Sequence, residues 1–168
     1  MIKIRTMEIQ DCQELNQTWH QLLTETKFLL CEPGETAAVT IEQTQSRLRH
    51  VLNQENSTYL VAEGDGKHVG YLMVHGGMFK RNRHSAYIVI AILQAYANQG
   101  VGTQLFDALF VWASKHQLTR LDLTVMSHNK AAIALYQKMG FEIEGTKRRS
   151  LCVDGIYRDE YYMAKILD

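Results

Sequence analysis

Hydrophobic positions along this chain recur with two different periods, and segments of one period are interleaved with segments of the other. Alternation of apolar and polar residues is typical of a half-buried strand, and recurrence at every third or fourth position is typical of a packed helix. The pattern predicts the order β-α-α-β-β-β-α-β-α-β-β. The predicted strands are 2–7, 59–62, 68–74, 85–93, 121–125, 141–144 and 157–166, and the predicted helices run from a cap at Asp11 to before Phe28 and over 40–52, 100–115 and 129–138.

The segment 85–93, with the sequence SAYIVIAIL, is almost continuously apolar. Such strands are buried on both faces and lie at the centre of a sheet. Strands and helices alternate through much of the chain, so we expect an α/β (α+β) protein with a mixed sheet and helices on both of its faces.

The chain has 168 residues, which is enough for one domain with a sizeable core, so we expect a single domain over 1–168. Apolar residues make up 46% and charged residues 21%, as in water-soluble globular proteins. No apolar stretch is long enough to cross a bilayer, so no membrane partner is expected. The first five residues alternate in polarity, whereas a signal peptide has an apolar centre. This difference predicts a cytoplasmic protein.

The 18 basic and 18 acidic residues cancel, which leaves no positive field for binding nucleic acid. Cys12, Cys31 and Cys152 suit neither a disulfide framework nor a zinc site, and the histidines lack metal-ligand spacing. We therefore predict no metal. The one basic run, at 80–84, is either a solvated hairpin tip or a phosphate contact.

The central strand leads into a glycine turn, Gly100-Val101-Gly102-Thr103, that opens a helix. Glycines leave backbone N–H groups uncovered, and the first N–H groups of a helix lack internal partners at its positive end. This combination can hold a phosphate or diphosphate, although it can also be a simple tight turn. The dinucleotide fingerprint fails because its third glycine would fall at Leu105, and no P-loop motif is present.

This turn resembles the acetyl-CoA-binding segment of the GCN5-related N-acetyltransferase superfamily, [QR]-x-x-G-x-[GA], with Ala97 in place of the usual Gln or Arg. A second stretch, 129–141, is similar to the family's following motif, N-x-x-A-x-x-L-Y-x-K-x-G-F. Asn129 and Tyr136 lie seven residues apart, within about 20° of one helix face. Gly140 suits the position just past a helix end, where a left-handed conformation favours glycine.

The resemblance covers essentially the whole chain and is nearest to bacterial ribosomal-protein and small-amine acetyltransferases. It implies a mixed, mostly antiparallel sheet of about seven strands and an acetyl-CoA-dependent enzyme that acetylates a small amine, an amino acid or a peptide N-terminus. Dimers are common in the family, so a homodimer is compatible with it. The cofactor-binding residues it implies are Ile92, Leu93, Asn98, Gln99, Gly100, Val101, Gly102, Thr103, Asn129 and Lys138.

The family's reaction is direct attack of the amine on the thioester, with negative charge developing on an oxygen that needs a fixed donor. By resemblance, that donor is a backbone N–H beside a bulge near 90–93, which makes the main chains of Ile92 and Leu93 the candidates. Asn129 would bond the pantetheine arm, and Tyr136 would protonate the departing thiolate. A phenol with a pKa near ~10 is close to an alkyl thiol, so this transfer is nearly balanced.

Many relatives carry a glutamate on the central strand as general base, and that position here is Tyr87. The alternatives are a water chain, which we favour, a histidine such as His84 or His75, or an acid from Glu32 or Glu35. Tyr87 can equally pack against the substrate. Glu32 lies in the loop that shapes the acceptor pocket in relatives, where an acid would favour a cationic amine.

Two other functions stay open at this point. The absent glutamate and Ala97 are consistent with an acyl-CoA-binding protein that lacks turnover. A nucleotide-binding α/β domain is a weaker alternative, because both nucleotide fingerprints fail.

Overall fold

The computed structural model describes residues 1–168 and contains one seven-stranded sheet in the order β1-β2-β3-β4-β5-β7-β6. The element order agrees with the predicted one. The strands are β1 (Ile2–Thr6), β2 (Thr58–Gly64), β3 (Lys67–Gly76), β4 (Ser85–Ile92), β5 (Arg120–Met126), β6 (Glu142–Val153) and β7 (Ile156–Ile166). The helices are α1 (Cys12–Glu25), α2 (Ile41–Leu52), α3 (Val101–Lys115) and α4 (Lys130–Lys138).

Every neighbouring pair of strands is antiparallel except β4 and β5. Two residues, Asp65 and Gly66, connect β2 to β3, and both adopt the positive φ that a tight hairpin turn requires. A parallel pair cannot be joined this way, so the chain crosses from β4 to β5 through α3. Hairpins thus join β2 to β3 and β6 to β7, and the crossover between the parallel strands β4 and β5 carries the glycine turn.

Alternation along the strands divides the core into two layers. One face of the sheet packs against α3 and α4, with Phe106 and Leu109 of α3 completely enclosed. The other face packs against α1 and α2 through Leu22, Leu48 and Tyr71. The helices therefore cover both faces, as predicted. None of them combines the length and apolar character that crossing a membrane requires.

The strands β4 and β5 diverge soon after they begin. Their pairing covers only Ser85–Tyr87 against Arg120–Asp122, although β4 continues to Ile92 and β5 to Met126. Beyond Tyr87 the two facing strand edges have no partner in the sheet. A wedge-shaped cleft therefore opens at the centre of the sheet, in front of the first turn of α3.

The loop between α1 and α2 lies over this part of the sheet. The Phe28 ring packs 5.1 Å from the ring of His128, which follows β5. Lys27 forms an ion pair with Asp154 in the turn between β6 and β7. This loop thus joins two segments that are distant in sequence and encloses the cleft from the α1 and α2 side.

Two predictions about strands need correction. The strand predicted at 141–144 begins at Glu142 and extends to Val153, because the polar stretch after Glu144 is held by its ladder with β7, with two register shifts. The central strand β4 is not buried on both faces: Tyr87 is 41% exposed and Val89 is half-buried. Its α1 and α2 face is left partly open beside the cleft.

Candidate active site

The turn before α3 presents a run of free backbone donors. None of the six N–H groups of residues 98–103 donates a hydrogen bond to a protein acceptor, and the helix ladder begins with the N–H of Gln104 bonding to the oxygen of Gly100 at 3.0 Å. Asn98 and Gly100 have positive φ values of 59° and 79°, so the peptide planes turn within a short stretch. Consecutive N–H groups at the positive end of a helix form a site for a phosphate or diphosphate.

A positive side chain lies at the same place. The Lys138 ammonium, at the end of α4, donates a hydrogen bond to Thr103 Oγ1 at 3.3 Å. Lys138 and Thr103 are 35 positions apart in the chain, and the packing of α4 against α3 brings them together. The charge of Lys138 therefore adds to that of the helix end, as an anionic ligand requires.

Gly102 has a packing role that the sequence did not predict, in addition to its free N–H group. A Cβ at this position would lie 2.7 Å from Leu135 Cδ2 and 3.3 Å from Ile92 Cδ1, so it would point into the packing of α3 against α4 and β4. At Gly100, by contrast, an added Cβ would meet nothing within 4 Å. Close packing thus excludes a side chain at Gly102, whereas the space beside Gly100 is open.

We expect Gly102→Val to destabilise the fold by about 1–3 kcal/mol through overpacking, rather than to cover the N–H groups. The same change on a Leu135→Ala background should be less destabilising, because the clashing methyl group is gone, and should retain acetyl-CoA binding. Thermal unfolding of the four proteins in this double-mutant cycle measures the coupling. Equal losses in both backgrounds would show that the contact with Leu135 is not what excludes a side chain.

The edge of β4 that faces the cleft supplies two further free donors. Just after β4, the Leu93 N–H donates to the backbone oxygen of Val69 at 2.9 Å. At the start of β4, the backbone oxygen of Ser85 accepts from the Gly77 N–H at 2.9 Å. The backbone groups of Ser85 and Leu93 therefore point toward β3. Backbone direction alternates along a strand, so the N–H groups of Ile90 and Ile92 face away from β3, into the cleft.

Two expectations for this strand are therefore revised. No bulge interrupts 90–93, because the register from Gly70↔Ile92 to Gly76↔Ala86 is continuous. The Leu93 N–H is used in the sheet and cannot also serve as an oxyanion donor. Ile92 keeps the main-chain role that the resemblance implied, and Ile90 joins it.

Tyr136 lies on α4 with its ring buried against the α3 side of the sheet. The ring is 8% exposed and packs edge-on to Phe106 at 5.9 Å. Its hydroxyl bonds to no protein atom, yet it is not one of the fully enclosed polar atoms. Burial, with a smaller effect from the nearby Tyr87, raises the pKa of this phenol well above its ordinary value. Tyr136 is therefore protonated at all working pH values, and proton transfer to a thiolate is less balanced than its ordinary pKa suggests.

Asn129 is the N-cap of α4. Its Oδ1 accepts the N–H of Ala132 at 3.2 Å, which fixes the side chain and satisfies one of the free N–H groups of the helix. The side-chain amide NH₂ group donates to no protein acceptor and is the part of Asn129 that is free to bind a ligand.

Tyr87 lies where β4 and β5 begin to separate. Its hydroxyl shares a 2.7 Å hydrogen bond with Thr124 Oγ1 of β5, which links the two strands across the cleft. Both side chains line a cavity of about 390 Å³ on the α1 and α2 side of the sheet. An aromatic wall with a polar tip is compatible with packing against a substrate.

The same cavity contains a charged cluster that sequence reasoning did not single out. Arg120 bonds to Asp122 at 2.6 Å and to Glu144 at 2.5 and 3.0 Å, and Asp122 also accepts from Ser85 at 2.7 Å. Two carboxylates and one guanidinium leave this wall with a net negative charge. The alternation of Leu121-Asp122-Leu123-Thr124 was the available signal, since it places Asp122 and Thr124 on one face of a strand whose other face is buried.

The structure places the candidate bases in different surroundings. His75 of β3 lies directly opposite Tyr87 on the same face, and its ring is edge-on to Tyr59 at 5.9 Å. His75 is itself exposed, and partial loss of solvent around its ring, which lies against Tyr59, lowers its pKa below the ordinary value. Glu32 and Glu35 are exposed in the loop after α1, where Glu35 accepts the N–H of Glu32 at 2.7 Å. His84 is exposed at the start of β4, where its backbone oxygen accepts from Thr119.

No group of three or more His, Cys, Asp or Glu side chains is arranged to hold a metal ion. The polar groups gathered around the cleft are instead N–H donors, hydroxyls and charged pairs. Such a set can bind an anion at one end and a cation at the other, and can stabilise negative charge between them.

The sequence and the fold both match known proteins. Residues 16–141 match the family model of the acetyltransferase (GNAT) family. The chain is 36% identical over 108 residues to an L-amino acid N-acetyltransferase of Escherichia coli, covering 64% of this chain and 67% of that protein.

Among solved structures, a GNAT-family acetyltransferase from Streptococcus pneumoniae superimposes with a TM-score of 0.94 at 32% identity, over 100% of both chains. A Salmonella typhimurium structure that contains its cofactor acetyl-CoA superimposes with a TM-score of 0.87 at 19% identity, over 99% of this chain and 94% of that one.

The N–H groups at a helix end, the diverging central strands and these likenesses agree with one another. The chain belongs to the GNAT family of acetyl-CoA-dependent N-acetyltransferases.

Proposed function

We propose that this protein transfers the acetyl group of acetyl-CoA to a primary amine, which is a small amine, an amino acid or a peptide N-terminus. The observation that carries the proposal is the row of six free N–H groups at 98–103, beside a cleft whose β4 edge is unpaired. The row of N–H groups suits the diphosphate of coenzyme A, and the cleft beside β4 suits its long, narrow pantetheine arm. When bound, acetyl-CoA supplies the activated acetyl thioester.

Each residue then has a chemical role. The N–H groups of 98–103 and the Lys138 ammonium hold the diphosphate, and the free amide of Asn129 bonds the pantetheine arm. The Ile90 and Ile92 N–H groups donate to the carbonyl oxygen as it gains negative charge. Tyr136 holds a proton for the leaving sulfur. The acyl-CoA-binding alternative lacks a use for Tyr136 and for these two main-chain donors.

The acceptor enters from the other side of the sheet, beside Tyr87. The net negative wall formed by Arg120, Asp122 and Glu144 favours an amine that arrives as a cation. His75, opposite Tyr87, takes up the proton through water. Its lowered pKa keeps the imidazole neutral, and so able to accept, at neutral pH.

His75→Gln is expected to lower kcat by about 10²-fold at pH 7 and to remove the acid limb of the kcat profile. In the wild type, kcat should fall only below pH 6.5, because His75 becomes protonated as the pH drops through its lowered pKa. The profile is measured from pH 5 to pH 8 with saturating substrates. His84→Gln is the control, with an unchanged profile. A limb that survives in His75→Gln would assign it to a titratable group other than His75.

Turnover itself is tested by release of coenzyme A thiol across a panel of amines, amino acids and short peptides. We expect at least one amine to give a rate far above hydrolysis. Calorimetric titration with acetyl-CoA runs in parallel. Tight binding without turnover on any amine would favour the binding-protein alternative and reject catalysis.

A further inference from the structure

A second cavity, of about 280 Å³, lies between α1, α2 and the sheet, outside the cleft between β4 and β5. Its walls are mainly apolar and aromatic. They include Trp19 of α1, Leu48 of α2, Tyr59 of β2 and Tyr71 and Met73 of β3. The volume suits one ring or a compact branched group. Arg47 is the one formally charged side chain in the wall, so a second cationic group is unfavourable there.

One polar atom in this wall has no partner. Tyr71 is 1% exposed, and its hydroxyl makes no hydrogen bond with any protein atom. The Trp19 indole, whose ring lies 6.3 Å from that of Tyr71, does have a partner, because it donates to Thr36 Oγ1 at 3.0 Å. Buried hydroxyls without partners are rare in folded proteins, so this one calls for a partner that the protein itself does not supply.

Tyr71 is one of the residues that line the cavity, and the side chains of Tyr59 and Cys31 line it as well. Cys31 belongs to the loop between α1 and α2 and is partly exposed at the opening. Tyr71, Tyr59 and Cys31, which lie on two strands and a loop, therefore border one space.

This space adjoins the active-site cleft. Tyr71 is paired with Ala91 of β4, which lies between Ile90 and Ile92, and Met73 is paired with Val89. Val89 and Ala91 alternate with the isoleucines and lie on the same face as the cavity. The open edge of β4 and the cavity are about two strand spacings, or ~10 Å, apart. The β4 side chains on the face between them, Val89 and Ala91, are small.

We propose that this cavity determines which amine is acetylated: it receives the body of an aromatic or compact apolar primary amine whose far end bears one hydrogen-bonding group, held by Tyr71. The proposal rests on the proposed acetyl transfer for the fate of the amine, but binding in the cavity does not depend on turnover. It narrows the acceptor from any primary amine to one with an apolar body about one ring long and a polar tip.

The first experiment uses two amines that differ by one hydroxyl, tyramine and phenethylamine. In the wild type, kcat/KM should be about tenfold higher for tyramine, since a site that bonds a substrate hydroxyl discriminates against the analogue without it. Tyr71→Phe removes only the unpartnered hydroxyl, so the protein should fold and the preference should disappear. A preference that Tyr71→Phe leaves unchanged would overturn the assignment.

The second experiment measures occupancy without turnover. In Cys152→Ser, Cys31 is the one thiol open to iodoacetamide, because Cys12 is completely buried. Tyramine should slow the alkylation of Cys31 severalfold, in a saturable way, and less so when Tyr71→Phe is added. Protection without acetylation of any amine would support the cavity assignment and reject the proposed reaction. Acetylation of tyramine without protection of Cys31 would overturn the cavity assignment and leave the reaction standing.

Discussion

Gly100→Asp is expected to weaken acetyl-CoA binding by about 10–100-fold while leaving the fold intact. An added Cβ at Gly100 meets no neighbour, and the residue lies at the N-cap of α3 among the free N–H groups. A carboxylate there accepts those N–H groups itself and repels the diphosphate. Two like charges ~4 Å apart interact by about 4 kcal/mol at an effective dielectric of about 20, before salt screening reduces this.

Gly100→Asn is the matched control, because it has nearly the same shape and no charge. Both residues tolerate the positive φ of 79° better than other side chains do, and both are favourable N-caps. The affinity of the Asn variant should fall only severalfold. Calorimetric titration with acetyl-CoA gives the affinities, and thermal unfolding checks that both variants remain folded. Equal losses for Asp and Asn would mean that no phosphate charge lies beside Gly100.

Tyr136→Phe is expected to lower kcat by about 10²-fold with little change in acetyl-CoA affinity. The hydroxyl bonds to no protein atom, so its removal leaves no buried donor or acceptor unsatisfied, and the melting temperature should not fall. The raised pKa keeps Tyr136 protonated, so the loss should be the same from pH 6 to pH 9. Steady-state rates with saturating acetyl-CoA and amine give this comparison.

Tyr161→Phe serves as the control for a tyrosine on the same core face that has no part in the site. Its kcat should equal that of the wild type. A normal kcat in Tyr136→Phe would assign the proton to water and reduce Tyr136 to a packing residue.

Much of the phosphate end of the site follows from local sequence. The first N–H groups of any helix lack internal acceptors, so a glycine turn at Gly100 before an amphipathic helix is enough to predict free donors. The cap that Asn129 forms on α4 is equally local, although from the sequence Asn129 was assigned only to the pantetheine arm. These features depend on residues within one turn of each other, which is why the sequence could reveal them.

The length of β6 shows where local patterns fail. Its residues are mostly charged or polar and carry no clear alternation after Glu144, so the sequence predicted a short strand. The strand continues to Val153 because it pairs with β7, whose residues are mostly apolar. Backbone hydrogen bonds to a neighbour supply the order that side-chain pattern does not indicate.

By itself, the sequence determined the order of helices and strands, the family, and the glycine turn that begins α3, because periodicity, capping and motif spacing are local properties. Only the tertiary structure decided which donors remain free and what faces the substrate. The register of β3 with β4 engages Leu93 and frees Ile90 and Ile92, and the packing of α4 fills the space beside Gly102. Pairing also brings His75 opposite Tyr87 and leaves the Tyr71 hydroxyl in a cavity. These relations join residues far apart in the chain, and a pattern along the sequence carries no information about the distance between them.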